Sequence, residues 1–569
     1  MRNWLKLQNQ FAHKHRSLYI ALRVLREKLW LTPGVGQYMY ATPEIAQLAQ
    51  IIRNSDVSTL STSADGPSIL FFSFRGGWST NVAQDLVMAQ ALRSRGARPY
   101  FVTCAAHLPV CDIGNRYVAP PMPCNFCASY IHRLAPQLNL PLLDLNRFVS
   151  ADERATIERQ VAALSVHEHP NYTVDDVPVG QLVQISVPRF LLQGAIDDSA
   201  FSQDIWKRFL ISGGVVTLAV KKLLAQSKPD LLWTMNGLFF SEQILLHLAQ
   251  KQHIPFINYE TGFFPQTLVM ARNQIANHYN LNTHWKTHQA KPLTAAQTQR
   301  LETYLHKRRF GKDAIISSVY YPKMQNSQDI IQQQLELSRD KPIVLLMTNI
   351  LWDSAALDRD TIFKDLVHWL ETTIQHFIDH PTHQLLVRIH PAEVGLLMRE
   401  SHEPIGAVIA ARFPQLPPHI KIIDATSDIS SYTLMDMADY GLVYTSTTGL
   451  EMTLWGKPVV VAGDTHYSGK GFTYDPTTVQ EYLAWLQNPT RLTPPTEQQI
   501  ELAQRYAYLL FFRMMLPFPY LSTLTQRRIQ FHFERLEALG PGQDPNLDQL
   551  CQAILNSDEP GMFLAEDQI

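Results

Sequence analysis

Residues 440–463 read YGLVYTSTTGLEMTLWGKPVVVAG, and the order of residue types in this stretch decides the fold. YGLVYTS is a strand, Gly449 and Leu450 open the helix GLEMTLWG, and KPVVVAG is a second strand. Strand, helix and strand in immediate succession make a βαβ unit, which belongs to a parallel sheet. Ser446, Thr447 and Thr448 then fall between a strand's carboxyl end and a helix start. Hydroxyls and unpaired backbone N–H groups there suit an anion. An ordinary Ser/Thr cap satisfies the same donors with one residue; three hydroxyls followed by a glycine favour a ligand. Glu451 is placed to accept hydrogen bonds from ribose or sugar hydroxyls, or simply to complement the dipole of a first helical turn.

The loop that follows, GDTHYSGKGF (463–472), puts Asp464, His466, Tyr467 and Lys470 among glycines that let backbone approach a ligand closely. Lys470 suits a phosphate or a sugar carboxylate, or solvent. Upstream, PIVLLMTN, HQLLVRIH and IKIID are further strands, separated by helices such as TIFKDLVHWLETTIQHFI. LLVRIH ends in Arg388 and His390, with Pro391, Ala392 and Glu393 behind them. A cationic or hydrogen-bonding pair at a strand end suits phosphate, and the proline sets the turn.

The first half of the chain repeats the alternation. SILFFSF, RPYFVTC, PDLLWTMNG and IPFINYETG are strands, with TNVAQDLVMAQALRSRG and SEQILLHLAQKQ as helices. Residues 145–225 form a mainly helical insertion. The expected organisation is basic amphipathic helices over 1–60, a Rossmann-like domain over 61–275, a linker over 276–335, a second Rossmann-like domain over 336–493, and C-terminal helices with a polar tail over 494–569. This is an α/β chain of two Rossmann-like domains facing a cleft, the arrangement called GT-B. In open parallel sheets ligands sit beyond the carboxyl ends of the strands. On the first domain those ends carry Arg75, Gly76 and Gly77, then Asn236 and Gly237, then Glu260.

Length and composition agree with two cores. The chain has 569 residues, 46% hydrophobic and 18% charged, with a formal net charge of -2. That balance argues against a nucleic-acid partner. The sequence offers no uninterrupted apolar run of about eighteen residues and no signal-peptide pattern at the start, so a cytoplasmic location is expected. The first thirty residues carry seven Lys or Arg against the single acid Glu27, interleaved with Trp4, Leu7, Phe11, Leu18, Leu22, Leu25, Leu29 and Trp30. Such a helix lies on an anionic membrane surface at the inner face, or packs its apolar stripe on the protein itself.

TNILWDSA (348–355), LLVRIHPAE (385–393), YTSTTGLE (444–451) and GKPVVVAGDTHYSGKGFT (456–473) resemble the capsule polysaccharide biosynthesis glycosyltransferases, GT-B proteins that include the Kdo transferases of capsule assembly. The resemblance covers the second domain well and the first more loosely. It implies inverting transfer of a sugar from a nucleotide-sugar donor, CMP-Kdo-like or another NDP-sugar, to a growing surface or capsular polysaccharide or glycolipid. It also implies that no metal cofactor is required for transfer. In the Kdo enzymes and related bacterial sialyltransferases the His-Pro motif and the Ser/Thr turn hold the phosphate of a CMP-sugar; carried over, those roles fall on His390, Pro391, Ser446 and Thr447. Thr448, Gly449, Glu451, Asp464, Lys470 and Arg388 complete the expected donor site.

The related enzymes place an acidic pair before a glycine at the end of a first-domain strand. Here INYETGFF supplies Glu260, Thr261 and Gly262, so only the first acid is present. Glu260 is the candidate base that removes the acceptor hydroxyl proton; the other reading is a structural acid that caps the turn. Arg75, Gly76 and Asn236 are expected on the acceptor side. Two other classes share the architecture: the UDP-N-acetylglucosamine 2-epimerases, whose loop after the last strand differs from GDTHYSGKGF, and a catalytically degenerate scaffold of a capsule assembly complex.

Two metal readings remain. The triplet Asp358–Arg359–Asp360 mimics a metal-binding Asp-x-Asp, but at the expected start of a helix it reads as a cap. Cys104, Cys111, Cys124 and Cys127 are four of the five cysteines in the chain. Their spacing, ending in a CxxC pair, fits a structural zinc or an iron–sulfur cluster; the plain alternative is four small hydrophobic side chains.

Overall fold

The computed structural model describes residues 43–56, 58, 65–105, 107–118, 123–310, 327–354, 356–395, 400–525 and 528–567, with Leu18, Leu22 and Leu25 ahead of them. The basic N-terminal helix expected over the first thirty residues falls outside the described residues, apart from those three leucines, which are helical and exposed. The chain divides into two units: residues 1–191, 196–279 and 514–565 form the first, and 192–195, 280–513 and 566–569 the second.

The first unit is built on β1 (Ser68–Phe71), β2 (Arg98–Thr103), β3 (Leu142–Asp144), β4 (Leu231–Met235), β5 (Phe256–Thr261) and β6 (Thr267–Arg272). They lie in the order β6-β5-β4-β1-β2-β3. All neighbours are parallel except β6, which runs antiparallel to β5. Side chains alternate between two cores, as a strand's period of two demands. Ile69 and Phe71 enter one cluster with Trp233 and Tyr259, while Leu70 and Phe72 enter the other with Leu232 and Phe256. Both faces are covered, which is why these strands read as continuous apolar runs. The expected insertion is helical, and its last helix, Ala200–Ser227, is long and apolar enough to cross a membrane. It is a core helix instead: Phe209, Leu210, Val215 and Val216 are fully buried in the second cluster.

The second unit carries β7 (Ile343–Met347), β8 (Gln384–Arg388), β9 (Ile420–Ile423), β10 (Tyr440–Val443) and β11 (Val459–Val461), ordered β11-β10-β7-β8-β9 and parallel throughout. Both sheets therefore have the doubly wound order, reversing direction between their first and fourth strands, at β1/β4 and at β7/β10. The α/β class and the two Rossmann-like units expected from the sequence are both present. Residues 440–463 fold as read, with β10 and β11 joined by the helix Thr448–Leu454.

Three expectations need correction. The Asp358–Asp360 triplet does not start a helix: that helix is Leu366–Asp379, capped by Asp365, whose Oδ1 accepts the His368 N–H at 2.8 Å. Asp360 instead accepts the Tyr444 hydroxyl. The linker expected over 276–335 holds helices Asn282–His288, Ala295–Phe310 and Gln328–Gln334. The C-terminal region is helical at Glu497–Tyr508 and Pro545–Asn556, but between and after them it forms strands. These are β12 (Leu516–Pro517), β13 (Leu521–Thr525), β14 (Arg528–Phe531) and β15 (Gly561–Met562), and β12 and β15 both pair with β6 of the first unit.

Candidate functional site

At the switch point of the second unit, the ends of β7, β8 and β10 are tied by their own polar groups. The Thr348 Oγ1 accepts the His390 N–H at 3.1 Å, and the Asn349 Oδ1 accepts the Thr445 N–H at 3.3 Å. Thr348 and Asn349 open the TNILWDSA stretch, yet neither was expected in the donor site; their place at a β7 end beside the reversal is the signal that finds them. The His390 Nδ1 accepts the Ala392 N–H at 3.1 Å, which leaves the ring proton on Nε2. Burial holds the imidazole below its ordinary value, against the pull of Asp353. At neutral pH His390 is thus a neutral N–H donor.

The hydroxyl run sits opposite. Ser446 Oγ and Thr448 Oγ1 bond each other at 2.8 Å, and Ser446 Oγ also accepts the Thr448 N–H at 3.3 Å. Thr447 occupies the cap position, yet its side chain makes no capping bond. The Thr445 Oγ1 is buried without a hydrogen-bond partner among the described residues. The helix behind this turn is one of only seven residues, so individual donors matter here more than its dipole. The second loop props the turn. Tyr467, buried, donates its hydroxyl to the Ser446 carbonyl at 2.6 Å. The phenol passes so close over Gly449 that a Cβ there would stand 2.3 Å from the Tyr467 oxygen. That contact requires the glycine.

Glu451 is buried and pairs through Oε1 with Arg308 Nε at 2.7 Å, while its Oε2 is buried without a partner among the described residues. Arg308 comes from the helix Ala295–Phe310, inside the expected linker. Burial opposes its charge, but Glu451 more than compensates and holds the guanidinium above its ordinary value. Other expected donor residues are spent elsewhere. Arg388 is buried and donates to the carbonyls of Asp424 (2.5 Å) and Ser427 (3.4 Å) and to Ser431 Oγ (3.2 Å). It pins the loop after β9 and is corrected from ligand to structural cation. Asp464 pairs with Arg359 at 2.8 Å on the surface, and Lys470 donates to Asn282 Oδ1. Pro391 sets the turn between β8 and the short helix Ala392–Gly395. Glu393 in that helix accepts the Ile405 N–H at 3.0 Å and is pushed up to about 7 by burial.

The switch point of the first unit is filled differently. Arg75 is only 4% exposed. It donates to Ser241 Oγ at 2.7 Å and to Glu242, lies 3.8 Å from Asp112, and stacks 4.3 Å from the Trp78 ring centre. Gly76 is packed so tightly that a Cβ would stand 2.3 Å from the Cys127 carbonyl oxygen. Arg75 and Gly76 are therefore packing elements, which corrects their expected place on the acceptor side. Asn236 (φ 58°) and Gly237 (φ 84°) form a left-handed turn after β4. From it the Asn236 Nδ2 donates to Glu260 Oε2 at 2.8 Å, and the Thr261 N–H donates to Glu260 Oε1 at 2.9 Å. Burial pushes the Glu260 carboxyl up, partly offset by those two bonds. Cys104, Cys111, Cys124 and Cys127 are free thiols, and no group of three or more His, Cys, Asp or Glu stands in metal-ligating arrangement among the described residues.

Fold and site together define an α/β protein of two doubly wound units, the second of which gathers polar side chains at its switch point. Residues 286–495, which carry those side chains, match the family described as capsule polysaccharide biosynthesis protein. No curated protein sequence matches the chain. Among solved structures it is similar to the β-Kdo 2,4-transferase KpsC of Thermosulfurimonas dismutans (15% identity, 55% of this chain and 87% of that one, TM-score 0.30). It is also similar to UDP-GlcNAc 2-epimerase from Neisseria meningitidis bound to UDP-GlcNAc (12%, 77% and 97%, TM-score 0.24). A third is sucrose-phosphate synthase from Thermosynechococcus elongatus (14%, 78% and 95%, TM-score 0.26).

Proposed function

We propose that the protein is an inverting glycosyltransferase that moves a sugar from a nucleotide-sugar donor to a growing capsular or surface polysaccharide or glycolipid. The observation that carries this reading is the set of unspent polar groups at the β7/β10 switch point. The neutral His390 N–H, the uncapped Thr447 hydroxyl and the Thr445 hydroxyl offer donors to a phosphate. The second Glu451 oxygen offers an acceptor to a sugar or ribose hydroxyl. The donor is assigned to the second unit and the acceptor to the first.

In the transfer, the acceptor hydroxyl oxygen attacks the anomeric carbon while the bond to the nucleotide phosphate breaks and its electrons pass to phosphate. Glu260 takes the acceptor's proton. Its raised carboxyl, held from both sides by Asn236 and the Thr261 amide, supports that role. His390 and the Ser/Thr turn stabilise charge on the departing phosphate. No metal is needed for this chemistry. The reading includes a cytoplasmic location, with the basic N-terminal segment on the inner membrane face.

Thermal-shift titration with CMP, UDP and GDP tests the proposal. Stabilisation by one nucleotide, lost in His390→Ala, is the expected result; stabilisation by none would overturn it. Full transfer in the presence of a chelator is expected, and sedimentation with anionic vesicles tests the membrane contact.

A further inference from the structure

The turn after β4 holds an asparagine where the backbone suits glycine better. Asn236 lies at φ 58° and Gly237 at φ 84°, so two consecutive residues occupy the left-handed region. A residue with a Cβ is disfavoured there, and such strain persists only where the surroundings fix it. They do so here. The Asn236 N–H donates to the Tyr259 carbonyl at 2.7 Å, and the Gly237 N–H to the Met235 carbonyl at 2.7 Å. The Gly237 carbonyl accepts Gln243 Nε2. A Cβ on Gly237 would stand 3.0 Å from Asn258 Nδ2. The Asn258 carboxamide is itself tied to the Thr234 carbonyl at 3.1 Å and the Ala276 N–H at 2.7 Å.

This rigid turn presents one side chain, and both of its ends are engaged. Asn236 Oδ1 accepts the N–H of the buried Leu238 at 3.0 Å. That bond assigns the carboxamide, so the group 2.8 Å from Glu260 Oε2 is the Nδ2 donor. Glu260 Oε1 accepts the Thr261 N–H at 2.9 Å. Asn236 is buried, whereas Glu260 is half-buried and still reaches solvent. Two cations also favour the ionised carboxyl: Arg75 from the loop after β1, and Arg189 from the helix Ser186–Leu191. Their printed hydrogen bonds go elsewhere, from Arg75 to Ser241 and Glu242 and from Arg189 to the Asp112 carbonyl at 2.6 Å. The neighbouring Tyr259 phenol is buried, donates to Asp85 at 2.6 Å and stays protonated. A nearby charge favours ionisation without choosing an orientation; a donor on a fixed carboxamide does both.

We propose that Asn236 is the positioning residue of Glu260: its locked carboxamide holds the carboxylate in one orientation and leaves lone pairs on both oxygens to receive a proton. The proposal deepens the transfer reading and rests on it for the source of that proton. The acceptor O–H bond breaks as its oxygen bonds the anomeric carbon, the proton passes to Glu260, and the electrons of the leaving bond pass to phosphate. Asn236 neither gains nor loses a proton.

The test is carboxyl-carbon NMR of the full chain labelled in glutamate, with the Glu260 signal identified by its loss in Glu260→Gln, together with a pH–rate profile. Asn236→Gly suits the left-handed backbone and removes the carboxamide. Asn236→Asp keeps the shape and the Leu238 bond but replaces the N–H donor by an oxygen. The Glu260 midpoint should rise by about one unit in Asn236→Gly, and further in Asn236→Asp, where two carboxylates meet. The acid limb of the rate should rise with it. The kcat should fall about tenfold or more while the KM for the nucleotide-sugar donor stays within about twofold. A role confined to holding the turn would move neither midpoint nor limb in Asn236→Gly, and that result overturns the inference. If Asn236→Gly fails to fold, an unmoved midpoint in Asn236→Asp overturns it instead. A raised midpoint in a chain that transfers no sugar supports the positioning and overturns the transfer reading alone.

Discussion

The two units share one topology and differ in what fills its switch point. At β1/β4 buried charges sit together: Arg75 donates to Ser241 and Glu242, lies 3.8 Å from Asp112 and is covered by Trp78, while its Nε and both Asp112 carboxylate oxygens have no hydrogen-bond partner among the described residues. At β7/β10 several polar groups are left over, among them the Thr445 hydroxyl, one oxygen of Glu451 and the Thr447 hydroxyl. A buried polar group without a partner costs stability; at β1/β4 the adjoining opposite charges offset that cost, and at β7/β10 no such charge faces the Thr445 and Thr447 hydroxyls among the described residues. Residue type at a strand end therefore says less than what that residue is already bonded to. Arg75 and Arg388 look like anion ligands in sequence and are internal struts in the structure.

The sharpest way to break this contrast is to remove Arg75. In Arg75→Ala, Glu242 remains buried without its paired cation and Asp112 keeps only Arg189 near it, a loss on the order of 3–5 kcal/mol. Chemical denaturation should show the first unit unfolding at much lower denaturant. A variant that keeps its stability but loses transfer would move Arg75 back into the site and erase the difference between the units. His390→Ala should behave in the opposite sense. Its expected loss is about 100-fold in kcat/KM, with a stability change of about 1 kcal/mol or less. A collapse in stability with unchanged activity in the surviving fraction would make His390 another strut.

Glu260 allows the comparison to be sharpened by pH. Its carboxyl is raised above the ordinary 4.5, and a general base acts only when deprotonated. The rate should therefore fall as pH drops through a value above 4.5, with the fall absent in Glu260→Gln, whose residual rate is flat over that range. A residual rate that keeps the same acid limb would leave Glu260 as a turn-capping acid held by Asn236. Stability has its own pH signature in the second unit. The His466 pKa is pushed down to about 3 by burial, with Arg359 and Lys470 adding to it, and His376 to about 4. Groups with depressed folded values stabilise the fold fully above the ordinary 6.5 and lose that contribution as pH falls towards the folded values. Asp85 in the first unit, raised to about 6 by burial, works the other way: its contribution is present in acid and lost as pH rises through about 6. Glu393 in the second unit, raised to about 7 by burial, works as Asp85 does, so calorimetry across this range should show His466→Gln and Asp85→Asn removing opposite limbs of the stability profile.

The sheets were legible because buried parallel strands must read as apolar runs, and alternation with helices leaves few topologies. The strand ends followed, and with them His390, the Ser446–Thr448 turn and Glu260. Partners distant in sequence were not legible. Arg75 meets Ser241 166 positions away, and Arg308 reaches Glu451 across 143; neither pairing leaves a local pattern. Segment 276–335 looked like a linker because its helix Ala295–Phe310 is polar, yet one face of it closes over Glu451. The return of the chain to β6 through β12 and β15 escaped for a simpler reason. Edge strands of two residues are too short for any periodicity to show.

The smallest expected effect addresses the hydroxyl turn itself. Had Thr447 been an ordinary cap, its replacement by alanine would cost about 1 kcal/mol of helix stability. In the structure the Thr447 side chain makes no capping bond, so Thr447→Ala should melt within about 0.5 kcal/mol of the unaltered protein. If the hydroxyl is reserved for the donor phosphate, the same variant should bind the nucleotide several-fold more weakly, roughly the loss of one hydrogen bond to a charged group. Paired thermal melts with and without nucleotide read both quantities on one sample. A destabilised variant with unchanged nucleotide response would return Thr447 to helix capping. The contrast between the two switch points would then rest on Thr445 and Glu451, whose buried oxygens have no cap to serve.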